Sequence, residues 1–132
     1  MNVFVITTLA YIEATSEDDP QALVRGAHVA QALHQAGVPL LAGADATLFA
    51  PRHGDGLHRE LELLTKEAGL TPIEALTAST SVVTHHFGLS DRGRVAPGLR
   101  ADLILVDGDP TRDITATRAL REVWRRGVRQ SR

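Results

Sequence analysis

Histidine and carboxylate side chains must supply any metal site in this chain, because it contains no cysteine and so no thiolate or disulfide. The histidines are spaced poorly for chelation. His28 and His34 lie six residues apart, and no His-x-His pair occurs anywhere. His85 and His86 are adjacent in a helical stretch, where successive side chains diverge by about 100° and do not easily share one ion. His58 stands four residues before Glu62 on a helical pattern and reads as a surface residue. The carboxylate best placed for chemistry is Asp45. It follows the apolar run Val38-Pro39-Leu40-Leu41 by way of Gly43 and Ala44, at the end of a strand. An aspartate in such company is also an ordinary turn former or helix cap, so the local motif leaves both roles open. His53 lies in the loop just beyond.

The elements that position these residues follow from the periodicity. Val3 to Leu9 is short and rich in β-branched residues, which predicts a buried strand. Thr15 to Asp19 is a polar, acidic loop. Asp19-Pro20 then has the form of a helix start, with Asp19 as N-cap. Leu23, Ala27, Ala30 and Leu33 continue at helical spacing, and Gly37 ends the helix before the strand Val38 to Leu41. Strand, helix and strand with connections this short make a βαβ unit with parallel pairing.

A loop with Pro51, Gly54 and Gly56 leads to Leu57, Leu61, Leu64 and Ala68, an amphipathic helix closed by Gly69. Thr71-Pro72-Ile73-Glu74 is a capping box with proline at the first helical position. A further helix spans Ser81 to Phe87 and stops at Gly88. From about Leu89 short strands take over, Leu103 to Val106 being the clearest, and Val123-Trp124 and Val128 flank an Arg126-Gly127 hairpin turn. The expected class is α/β, with residues 1–88 as one unit and 89–132 as a small β-rich one.

Composition limits the partners. The chain has 132 residues and a formal charge of −2, which gives no sign of a nucleic-acid or membrane-surface partner. Arginines crowd the stretch from Arg112 to Arg132, but acidic residues elsewhere balance them, so a solvated surface is the simpler reading. Val3 to Tyr11 is too short to span a bilayer, which takes ~20 residues, and lacks the flanks of a signal peptide. A soluble, cytoplasmic protein is expected.

Taken in order, these motifs resemble the amidohydrolase superfamily, in its imidazolonepropionase-like and dipeptidase-like branch. Val38 to Asp45 resembles the end of the family's last barrel strand, where the pattern is Gly-Thr-Asp-Ala; here Ala44 replaces the threonine. His53-Gly54 and Leu57-His58-Arg59-Glu60-Leu61 are similar to the His-Gly loop and the helix after it. Gly69 to Pro72 with Glu74 to Leu76, and Gly93 to Gly98 with Ala101 to Leu103, match the stretches that follow. The strong part of the match covers Gly37 to Gly127, and Val3 to Leu9 resembles a late barrel strand with Thr7-Thr8-Leu9 in place of Pro-Thr-Leu.

The resemblance implies the C-terminal portion of a (β/α)₈ barrel followed by part of a small β-sandwich. It also implies a parent activity: metal-dependent hydrolysis of a C–N bond in a small amide, imidazolone-like or dipeptide-like substrate. Asp45 would be the metal ligand and catalytic carboxylate, at the strand end where barrels keep such groups. His53 would border the substrate pocket. Asp102 and Asp107 would be structural, and Trp124 would anchor the sandwich core. The cofactor would be a divalent metal, with zinc expected. A catalytic site needs about three protein ligands and an open position, and the family draws its other ligands from a His-x-His pair, a lysine and two more histidines. Lys66, the sole lysine, falls on a helix surface. The chain alone is therefore expected to be a truncated form that binds no metal and does not turn over. The alternatives are one chain of a split hydrolase completed by a partner, or a non-catalytic module that self-associates through exposed strand edges.

Overall fold

The computed structural model describes residues 3–48 and 50–131. Its first strand, β1, is Val5–Thr7, and β2 is Leu40–Ala42; they pair in parallel with Ile6 opposite Leu41. This is the expected βαβ pairing, but β1 is shorter than Val3 to Leu9. Leu9 instead opens helix α1, Leu9–Thr15. The β-branched run ends at Thr8, and Leu9-Ala10 is followed by residues that turn easily into a helix. The amides of Tyr11 and Ile12 both bond to the Thr8 carbonyl, at 3.1 Å each. A helix this short is not stable by itself; Leu9 and Ala10, both nearly fully buried, hold it against the core.

The crossover helix α2 is Ala22–Gln35. It starts two residues later than Asp19-Pro20 suggests. Asp19 instead closes a tight turn, accepting the Gln21 amide at 3.2 Å and pairing with Arg25. Gly37, with φ of 76°, lets the chain reverse into β2.

Helix α3, Asp55–Lys66, packs Leu61, Leu63 and Leu64 into the centre of the core. Helix α4, Pro72–Ala78, carries the expected capping box: the Glu74 amide donates to Thr71 Oγ1, and the Glu74 carboxylate accepts the Thr71 amide at 2.7 Å. Helix α5 is Ser81–His86.

The remainder forms a separate antiparallel sheet, β3 (Leu103–Val106), β4 (Leu120–Arg125) and β5 (Val128–Arg129), with a 3₁₀ helix at Ile114–Arg118 between β3 and β4. Arg126 and Gly127 both have positive φ, 53° and 75°, as the expected hairpin turn requires. Trp124 is only half-buried, and its indole N–H donates to Glu122 at 3.0 Å. It anchors no core in this chain. The architecture is α/β. Among the described residues no helix is long and apolar enough to cross a membrane.

Candidate functional site

Asp45 lies three residues beyond β2, on the side where the chain leaves the C-terminal ends of both parallel strands. The backbone is pinned just before it. The Gly43 amide donates to the Thr7 carbonyl at 3.0 Å, extending the β1–β2 ladder. A Cβ on Gly43 would meet Ile6 Cγ2 at 2.6 Å, so only glycine fits this close approach. Asp45 itself has φ of 45°. That left-handed conformation is uncommon outside glycine, though aspartate tolerates it better than most residues. It caps no helix, since α3 begins ten residues later. Its carboxylate is exposed.

The loop after Asp45 folds on itself. Thr47 Oγ1 accepts the Ala50 amide and donates to the Ala50 carbonyl, both at 3.1 Å, and the Thr47 amide reaches the Pro51 carbonyl. Ala44 and Pro51 close over Gly56 at the start of α3, where an added Cβ would sit 3.0 Å from Ala44 Cβ. His53 is exposed on this loop, and no hydrogen bond or ion pair joins it to Asp45 among the described residues. Opposite the loop, Tyr11, Ala14 and Thr15 of α1 form the other wall of an open, mostly apolar cleft with Leu48 and Ala50.

His58, His85 and His86 make contacts within the fold. His58 is half-buried, and its Nδ1 lies 3.1 Å from Thr117 Oγ1, joining α3 to the 3₁₀ helix. It is thus less exposed than its sequence position suggests. Burial, aided by the Arg118 charge, lowers its pKa below the ordinary value. His86 packs on the Phe4 ring at 4.9 Å, with His85 edge-on beside it at 5.2 Å. Lys66 is exposed on α3, as expected. Asp102 accepts the Arg126 amide at 2.8 Å and pairs with Arg100, while Asp107 pairs with Arg121 at 3.4 Å.

The amidohydrolase family model matches residues 18–130, most of the chain. The chain belongs to the amidohydrolase family. It is 43% identical over 72 residues to an imidazolonepropionase of Deinococcus deserti, covering 52% of this chain and 18% of that protein. It is 41% identical over 58 residues to an adenine deaminase of Methanothrix thermoacetophila, covering 42% and 10% respectively. Among solved structures, a Xaa-Pro dipeptidase with methionine bound in its active site superposes with a TM-score of 0.74 at 24% identity. That alignment covers 84% of this chain and 27% of the dipeptidase. The chain thus matches less than a third of each relative's length.

Amidohydrolases generally use a divalent metal, but this donor set does not fit one. Among the described residues no group of three or more histidine, aspartate or glutamate side chains is placed to hold a metal ion. Asp45 stands alone.

Sequence reasoning missed Glu60. Its hydrophobic neighbours mark α3 as amphipathic, and a glutamate there reads as solvent-facing. Glu60 is instead fully buried, with Oε2 accepting the Ala10 amide at 2.7 Å and Oε1 without a hydrogen-bond partner. The only signal available was its position directly before Leu61 and one turn before Leu64, on the helix's inner face.

Proposed function

We propose that this chain is the part of a metal-dependent C–N hydrolase that contributes the last two strands of the barrel and the aspartate that ends the final one. On this reading residues 1–88 are late barrel units and residues 89–132 belong to the small β-sandwich. The substrate is a small amide, imidazolone-like or dipeptide-like molecule, and the metal, zinc by expectation, is held mainly by groups outside this chain. Asp45 would add a carboxylate at the mouth, and His53 would line the substrate side of the same rim.

The observation that carries this reading is an open apolar groove along the free side of β1. Val5, Ile6, Leu9 and Ile12 line it from β1 and α1, and Gly26 and Val29 from α2; its volume is about 470 Å³. Ile6 and Val29 are each at least half exposed. Parallel sheets are ordinarily covered on both faces by helices and paired along their strands. A preceding strand–helix unit has the shape and chemistry to fill this groove.

Complementation tests the reading. The chain is mixed with a companion polypeptide that carries the other strands of an amidohydrolase barrel, and hydrolysis of imidazolone, dipeptide and amide substrates is followed. Turnover is expected only in the mixture, falling at least about 100-fold with Asp45→Asn, the scale for loss of a group that transfers a proton. Amide cleavage by the chain alone with a firmly held divalent ion would overturn the reading. So would a mixture indifferent to Asp45→Asn.

A further inference from the structure

Among the described residues Glu60 is the one buried carboxyl group that meets no cation. From α1, Glu13 turns instead to Arg59, which also pairs with Glu62. From the 3₁₀ helix, Arg118 pairs with Glu62, and from α2, Arg25 pairs with Asp19 and His34 with Glu74 of α4. Tyr11, the remaining titratable group of α1, lines the outer cleft. What does face Glu60 is backbone and hydroxyl: the first amides of α1, at Leu9 and Ala10, and the side chain of Thr7.

Those contacts lead directly to the strand ends. Thr7 is buried, and its hydroxyl donates to the Leu41 carbonyl of β2 at 3.4 Å, while its own carbonyl holds the Gly43 amide at 3.0 Å. Gly43 precedes Asp45 by two residues. A side chain on α3, the helix after the Asp45 loop, therefore holds the turn after β1 at Ala10, and Thr7, the last residue of β1, holds the backbone leading into Asp45. A solvent-facing role for Glu60 cannot account for this connection, and neither can simple packing, which an apolar residue would do without leaving Oε1 unpartnered.

We propose that Glu60 is a positioning residue: a buried carboxyl latch that ties α3 to the first turn of α1 and, through Thr7 and Gly43, fixes the backbone that presents Asp45. Its relevance to catalysis rests on the function proposed above, but the latch itself is a property of this chain and is testable without turnover. In the low-polarity interior the latch is held in its neutral form to a higher pH than an exposed glutamate, because burial outweighs the opposing pull of Thr7 and the α1 amides. In either form Oε2 keeps the Ala10 amide.

Amide hydrogen exchange on the full chain tests this. Glu60→Gln keeps an acceptor for Ala10 and a polar group beside Thr7, and Glu60→Ala removes both. In Glu60→Gln, Ala10 and Gly43 are expected to exchange within about threefold of the unaltered protein. In Glu60→Ala both should exchange at least tenfold faster, with Leu63 and Leu64 on the same helix within threefold. Equal acceleration of all four amides would reduce Glu60 to a packing residue, and acceleration of Ala10 without Gly43 would break the link to Asp45. The unaltered protein supplies an independent readout should Glu60→Ala fail to fold. The Ala10 amide proton shift should titrate together with a glutamate side-chain carboxyl whose midpoint lies above that of Glu62, and an Ala10 shift that follows no such carboxyl would overturn the latch. None of these outcomes depends on whether a companion chain restores hydrolysis.

Discussion

Glu60 and Glu62 sit two residues apart on α3 yet respond to pH in opposite senses. Burial alone would raise the Glu62 pKa, but hydrogen bonds from Arg118 at 2.5 Å and Arg59 at 2.9 Å hold it below the ordinary 4.5. Glu13, bonded to Arg59, is lowered as well. Groups whose folded pKa is depressed stabilise the protein fully above the unfolded value, and that contribution is lost as pH falls through the folded one. Glu60 is raised, so its effect runs the other way: between the unfolded value of 4.5 and its higher folded value, rising pH takes stability away. Denaturation followed across pH should therefore show stability falling below about pH 4.5, and Glu60→Gln should flatten the decline on the alkaline side without moving the acid limb. Glu62→Ala leaves Arg118 and Arg59 without their shared partner; about 2–3 kcal/mol is expected, less than for a wholly buried pair because both arginines are partly exposed. The same measurement at neutral pH checks it. A loss below about 0.5 kcal/mol, the range of ordinary surface substitutions, would mean that the network does not join α1, α3 and the 3₁₀ helix energetically.

Elements whose signals are local were legible in the chain itself. The α4 start is an example, since Thr71, Pro72 and Glu74 specify it within four residues, and both reciprocal bonds form. Thr71→Ala should cost about 1 kcal/mol, read as a shift in the denaturation midpoint, and Thr71→Ser should restore most of it. The parallel β1–β2 pair, the reversals at Gly37 and Gly69 and the Arg126-Gly127 hairpin were equally readable, because each rests on periodicity or on a positive φ that few residues adopt. Helix α1 was not, since its stability comes from the burial of Leu9 and Ala10 and from a glutamate fifty residues away. Tertiary contacts of that kind leave no local trace. Asp45 stands out as a candidate only through the order of motifs around it; its exposure and left-handed backbone could not be read from Gly43-Ala44-Asp45. Gly43 now has a reason in close packing. Gly43→Ala would drive a methyl group against Ile6 Cγ2, and about 1–3 kcal/mol of destabilisation is expected, as for other overpacked sites.

On the proposed reading, the open groove beside β1 and the exposed Asp45 are two consequences of one geometry at the scale of the whole molecule. A barrel's strands are closed by their neighbours, and its catalytic groups are collected from several strand ends. A two-strand portion of such a barrel would neither cover its own apolar side nor complete a donor set. If that reading holds, both should respond together when the other strands of a barrel are supplied. Val29→Asp places a charge in the groove, on a surface where α2 is already exposed, so the isolated chain should lose little stability, within about 0.5 kcal/mol. Docking of a companion chain should weaken at least tenfold, because an unpaired carboxylate would have to be buried there. Asp45→Asn should do the reverse, leaving docking unchanged while lowering zinc uptake by the assembled pair, measured by metal analysis after gel filtration. If Val29→Asp docks as well as the unaltered chain, the groove is not where the barrel continues, and the assignment of β1 as an inner barrel strand fails with it.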